Sequence, residues 1–322
     1  MKYIRKHIIW TALVSAISLF SSAQAAYPDK PVTIVVPFAV GGSSDSQARV
    51  VAAELSKKWN QPVVVENRAG GQTVIATNYV AKAKPDGYTI LYIPFAWITN
   101  QFLVKDLPYK TTDLTAVTSL GRYPLALLVR SDVPANTTEE FIAYAKKLNR
   151  PLNFGVAGIG SSMHLASLEF SNQTGIPMVY APYKGGSIAA LNDLIGKQID
   201  GIFEGAVYKP HADSGRIKAL FLGQPERMPG WDIPGAKEVG MPNFDMTAWY
   251  GLMVPAQTPS DIVQKISKDV TDVLALPDVR NRFASMGVIP GGMTPEAFQA
   301  FLTEQHKKLG VFIERNRAQL TE

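Results

Sequence analysis

The chain has 322 residues, 46% of them hydrophobic and none of them cysteine. That length exceeds what a single core usually supports and points to about two domains. The composition excludes disorder and fibrous repeats, and the missing thiols exclude disulfides and thiolate metal sites.

The first residues, MKYIRKH, are basic, and IIWTALVSAISLF after them is uncharged and apolar. SSAQA then ends in the small-x-small pattern Ala23-Gln24-Ala25. This order describes a signal peptide over residues 1–25, cleaved after Ala25, and places the protein in the periplasm. The apolar run is shorter than the ~20 residues of a spanning helix. Lys2, Arg5 and Lys6 leave with the signal, so the formal charge of +5 loses three and falls to +2. With no long Lys/Arg run left, no nucleic-acid partner is expected.

Strand-like and helix-like stretches then alternate. VTIVVP (32–37) precedes a helix near 44–58 with Ala48, Val51, Ala52 and Leu55 on one face. PVVVEN (62–67), a helix over about 72–82, the turn KPDGY and YTILYI (88–93) follow. Near Arg122 the rhythm changes through YPLALLVR and SDVPANT to a helix in TEEFIAYAKKL. It resumes in LNFGV, SSMHLASLEFSNQTG, MVYAPY, SIAALNDLIG and QIDGIFEG. A looser stretch, 223–245, leads to the strand MTAWYGLMVP, and helices over 258–275, 277–286 and 294–317 close the chain. Apolar strands alternating with helices predict an α/β fold with parallel sheets. The suggested organisation is two lobes, the second inserted into the first: 26–124 plus 247–322, and 125–246. The hinge is expected on the two crossover strands.

Three stretches place glycine and serine between a strand and a helix. In PFAVGGSSDSQAR (37–49), Gly41 and Gly42 precede a helix starting near Ser44. The first turn of a helix leaves N–H groups unpaired and carries partial positive charge. Glycine lets a ligand approach the backbone, so an anion site can form without a basic side chain. A tight turn capped by Ser44 or Asp45 explains the stretch equally well, and Asp45 reads as a cap or structural acceptor. LNFGVAGIGSSMHLAS (152–167) repeats the design with Gly158, Gly160, Ser161 and Ser162, and His164 lies one turn in. Its glycine spacing does not match a dinucleotide loop. APYKGGSIAALNDLIG supplies Lys184, Gly185 and Gly186 before a third helix. Gly70-Gly71 reads as a turn that positions a helix rather than a binding loop.

Enzymatic signatures are sparse. There is no G-x-S-x-G elbow, and His164, His211 and His306 share no metal-ligand spacing. No catalytic residue, metal or cofactor is expected. Among the aromatic residues Phe38 stands out, because it lies in the first loop at the strand ends, where open α/β sheets bind ligands.

Seven stretches, in order, carry a resemblance over roughly residues 26–320. They are YPDKPVTIVVPFAVGGSSDSQAR, VVVENRAGG, KPDGYTIL, LPYKTTDLTAV, GVAGIGSSMHLAS, YKGGSIAALNDLIGKQID and WYGLMVPAQTP. Together they resemble the Bug/TctC family, the periplasmic solute-binding receptors of tripartite tricarboxylate transporters. The resemblance implies a type II periplasmic-binding-protein fold whose lobes close on a small carboxylate, dicarboxylic or aromatic. It implies ligand contacts at Phe38, Gly42, Ser43 and Ser44 in one lobe. In the other it implies Gly160, Ser161, Ser162 and His164, with Lys184, Gly185 and Gly186. It also implies a monomer whose partners are the membrane subunits of the transporter. The chain departs from the pattern at Asn100-Gln101, where relatives often have Asn-Pro, and at Glu204, where they often have Asp. A sensor subunit docking on a membrane protein is an alternative, as is, more remotely, a secreted serine hydrolase using Ser161 or Ser162 with His164.

Overall fold

The structure, a computed structural model, describes residues 27–183, 186–205 and 208–320. The segment read as a signal peptide lies outside the described residues, as do Lys184 and Gly185. In chain order the first lobe opens with β1 (Val32–Val36), α1 (Ser43–Trp59), β2 (Val63–Asn67), α2 (Val74–Ala81), β3 (Thr89–Pro94), α3 (Ala96–Leu103) and β4 (Leu114–Pro124). The second comprises β5 (Ala126–Arg130), α4 (Thr138–Lys147), β6 (Leu152–Val156), α5 (Ser162–Thr174), β7 (Met178–Pro182), α6 (Ser187–Ile195), β8 (Gly201–Glu204), α7 (Lys209–Asp213) and β9 (Ile217–Leu222). The chain returns through β10 (Thr247–Pro255), α8 (Ser260–Ala275), α9 (Pro277–Ser285), β11 (Ile289–Pro290), α10 (Pro295–Arg315) and α11 (Arg317–Leu320).

Two sheets result. The first has the order β11-β4-β10-β3-β1-β2 and the second β7-β6-β8-β5-β9. β1 is parallel to β2 and β3, and β6 is parallel to β7 and β8, as helical crossovers require. β4 and β10 instead run antiparallel to each other, and β5 is antiparallel to β8 and β9. Only Leu125 separates β4 in one sheet from β5 in the other. Its N–H donates to the carbonyl of Met246, just before β10, at 3.2 Å. The two crossings therefore lie side by side and are bonded to each other.

Each lobe has the core its strands predict. Val32, Ile34 and Val36 of β1 bury against Val51 and Leu55 of α1, one helical turn apart on the inner face. In the second lobe Phe141, Phe154, Phe170, Phe203, Phe221 and Phe244 are fully buried and pack ring against ring. Local signals fix several helix ends. Thr137 and Glu140 form a reciprocal capping box at α4, and Gly175 ends α5 in the left-handed region. Thr294 caps α10 by accepting from the Ala297 N–H.

The lobes also touch directly. The Thr99 hydroxyl of α3 donates to the Gly160 carbonyl at 2.7 Å, and the Asn172 amide donates to the Asn316 side chain at 2.8 Å. Arg315 pairs with Glu169 at 3.2 Å.

Candidate functional site

Between the lobes lies a cavity of about 620 Å³, of a size that suits a small metabolite. It sits at the carboxyl ends of β1, β3, β6 and β8, where Pro37, Pro94, Ala157 and Glu204 all reach its wall.

On the first lobe the wall is the 37–44 loop and the start of α1. Phe38, Gly42, Ser43 and Ser44 all line it. Gly42 occupies the N-cap position, with extended backbone and no side-chain cap, so the first-turn N–H groups are not covered by the chain's own hydroxyl. The loop is braced from behind. Asp45, 2% exposed, accepts from the Gly41 N–H at 3.0 Å, from Asn67 at 2.9 Å and from Arg49 at 3.0 Å. Asn67 also donates to the Phe38 carbonyl at 3.0 Å. Burial opposes the charge of Asp45, but the bonds from Arg49, Gly41 and Asn67 outweigh it and hold the carboxyl below its ordinary range. Asp45 is thus a structural acceptor for the loop.

The facing wall is the 157–162 loop and the start of α5. Ser161 and Ser162 line the cavity, with Ala157, Gly158, Ile159 and Met163. Ser161 caps α5, its hydroxyl accepting from the His164 N–H at 3.3 Å. The structure does not bring His164 or Gly160 to the wall. His164 is fully buried, its Nδ1 accepts from the Gly160 N–H at 3.1 Å, and its ring meets Tyr180 edge-on. Burial pushes its pKa down to about 4, so the imidazole is neutral near pH 7 and shapes the loop from inside. Gly160 turns the loop at φ +76 against α3; a Cβ there would lie 2.5 Å from Leu103 Cδ1. Both residues therefore support the loop from behind the wall.

The third glycine stretch is described only in part. Gly186, at φ +72, caps α6, and both Gly186 and Ser187 line the cavity.

Two further groups line the cavity that were not expected as ligand contacts. The first is the loop Gly70–Thr73, expected only to place a helix, which also lines the cavity. Four successive residues have positive φ, among them the non-glycines Gln72 at 52° and Thr73 at 79°. Each such residue costs roughly 1–3 kcal/mol unless its surroundings enforce it. The enforcing group is Asn100 of α3, whose amide donates to the Gln72 carbonyl at 2.6 Å and to the Thr73 hydroxyl at 3.1 Å. The Gly70-Gly71 pair was the available signal.

The second group is the cavity floor, built from the crossover strands. The hydroxyls of Tyr123 in β4 and Tyr250 in β10 bond to each other, and the side chains of Ser43 and Ser44 bond to Tyr250. Burial pushes the Tyr250 phenol up to about 12, so both rings stay neutral donors. Beside them stands Glu204, 2% exposed, at the end of β8. Burial raises its pKa, while the Ser187 side chain and the Gly205 N–H, at 2.6 Å, favour the charge. No Lys, Arg or His is found among the described residues that line the cavity. Nor do the described residues hold a cluster of His, Asp and Glu fit for a metal ion.

A cleft walled by two glycine-serine helix starts on separate lobes suggests a receptor, and comparison with known proteins identifies which kind. The model of the tripartite tricarboxylate transporter family receptor, TctC, matches residues 47–317. The chain belongs to this family. It is 32% identical over 302 residues to Protein BugT of Bordetella pertussis, covering 91% of each chain. An R. palustris protein solved with adipate superposes with a TM-score of 0.85 at 31% identity, over 89% of this chain and 97% of that one. MatC from Rhodopseudomonas palustris with bound malate superposes at 0.82 and 31% identity, over 89% and 100%. The two-lobe α/β architecture is thus that of the TctC receptors.

Proposed function

We propose that this TctC-family protein is an exported periplasmic receptor. It captures a small carboxylate between its lobes and delivers it to the membrane subunits of a tripartite tricarboxylate transporter. The observation that carries this reading is the pair of helix starts, α1 at Ser43 and α5 at Ser162, on opposite walls of one cavity with no described basic side chain. Such a wall holds an anion through backbone N–H groups, hydroxyls and helix dipoles. Two similar structures, solved with adipate and with malate, support a carboxylate as that anion. No described helix is long and apolar enough to cross a membrane. The amino-terminal order of basic, apolar and small residues supports export.

The energetics are in scale. Hydrogen bonds to a charged group contribute about 1.5–3 kcal/mol each, and a partly buried helix N-terminus adds up to ~2 kcal/mol. Micromolar affinity needs about 8 kcal/mol. Four or five bonds drawn from both walls reach it after ordering and desolvation costs of several kcal/mol, while either wall alone falls short. Binding rather than hydrolysis is also favoured by His164, because its Nδ1 is taken by Gly160 and its Nε2 has no partner. Neither nitrogen reaches the Ser161 or Ser162 hydroxyl, as a general base must.

A thermal-shift screen across mono-, di- and aromatic carboxylates tests the reading. Stabilisation by at least one acid is expected; stabilisation confined to sugars or cations overturns it.

A further inference from the structure

The end of the cavity at α6 differs from the two walls. Helix α6 is nine residues long and begins at Ser187, on the wall, so its first turn offers the same partial positive charge as α1 and α5. The chain's own carboxylate already stands there. Glu204 lies beside Ser187, its Oε1 accepts from the Gly205 N–H, and its other close neighbours are the phenols of Tyr123 and Tyr250. It is 2% exposed, pairs with no cationic side chain among the described residues, and is the only Asp, Glu, Lys, Arg or His among the described lining residues. A buried carboxyl without a cationic partner calls for a donor or a positive charge. A second carboxylate brought beside it meets like charge in a water-poor site.

Resting on the carboxylate reading, we infer that Glu204 sets the specificity of the cavity. The ligand is a carboxylate whose far end carries a hydrogen-bond donor, an ammonium or a hydroxyl, in place of a second carboxylate. The ligand's carboxylate is held at the α1 and α5 walls, and its donor faces Glu204 and the tyrosine pair. The same cleft would then exclude the symmetrical diacid of equal length.

Calorimetric titration with length-matched pairs tests this. 5-Aminopentanoate is set against adipate, 3-aminopropanoate against succinate, and 4-hydroxybenzoate against terephthalate. In each pair the nitrogen or hydroxyl oxygen replaces the second carboxyl carbon. At neutral pH the donor member of at least one pair should bind tenfold or more tighter than its diacid. Glu204→Gln, of the same shape and without the charge, should shrink that ratio to within threefold, chiefly by tightening the diacid, while the melting temperature shows that the variant folds. A wild-type preference for the diacids, or an unchanged ratio in Glu204→Gln, overturns the inference and leaves the carboxylate reading standing. Failure of all six acids to bind, with a sugar or cation binding instead, overturns both.

Discussion

The two walls of the cavity share a design and differ in what stands behind them. The 37–44 loop is held by a charged acceptor, Asp45, with three donors converging on it. The 157–162 loop is held by a neutral ring, His164, buried in an apolar setting, and by the Thr99 hydroxyl reaching over from the other lobe. One loop is thus secured within its own lobe and the other partly by its opposite number. The lesson is that backbone donors can be aimed at an anion by either means, provided the brace spends its own charge elsewhere. Asp45 does so by pairing with Arg49, and His164 by staying unprotonated.

The largest effect that separates the walls is expected at Gly160. Gly160→Val places a branched side chain at φ +76 and drives it into Leu103 and Thr99. Overpacking and left-handed strain together should cost roughly 2–4 kcal/mol, read from denaturant unfolding. A change under about 0.5 kcal/mol would mean that the loop does not depend on the other lobe as described.

Acid should reach the two braces in sequence. The folded pKa of His164 is about 4 against an ordinary 6.5, so between those values the unfolded chain binds a proton that the folded chain refuses. The stability involved is fully present above pH 6.5 and is lost as pH falls toward 4, amounting to about 3 kcal/mol at ~1.4 per pH unit. Glu204, raised by burial, works in the opposite direction. The measurement is therefore the difference in unfolding free energy between the wild type and His164→Gln across this range. The contribution of Asp45, whose pKa is lowered, is present above its ordinary 3.8 and disappears only below it. Identical acid profiles for the wild type and His164→Gln between pH 6.5 and 4 would contradict the neutral brace.

The smallest effect on folding is expected at Gly42, and it sharpens the comparison from the ligand side. Its backbone is extended, and a Cβ would meet only the Ala39 carbonyl, at an ordinary 3.7 Å. Gly42→Val should therefore change stability by less than about 1 kcal/mol, while affinity falls tenfold or more because the new side chain stands where N–H groups meet the anion. Equal losses in both would reduce the stretch to a plain turn.

What could be read in advance follows the range of each signal. Ser43, Ser44, Ser161, Ser162 and Gly186 were legible because strand, glycine-serine turn and helix are neighbours in sequence, and α4 and α10 announce themselves through Thr137 and Thr294. Helix α3 was missed: it begins at Ala96 after Phe95, which supplies no side-chain cap, and its stretch AWITNQFL is apolar enough to pass for a strand continuation. The positive φ angles of Gln72 and Thr73 were invisible because Asn100, some 28 residues away, imposes them. His164 entered the site only through the resemblance, because one sequence cannot say which face of α5 turns inward. Glu204 gained its place only once β8 had set it beside the start of α6.

The crossings at Leu125 and Met246 carry a final consequence. Two adjacent, mutually bonded crossings, one only a single residue long, join the halves at one place. Any change of angle between the halves would have to pass through that pair. Tyr123 and Tyr250, on the strands that lead into those crossings, put the wall of the cleft beside that same place.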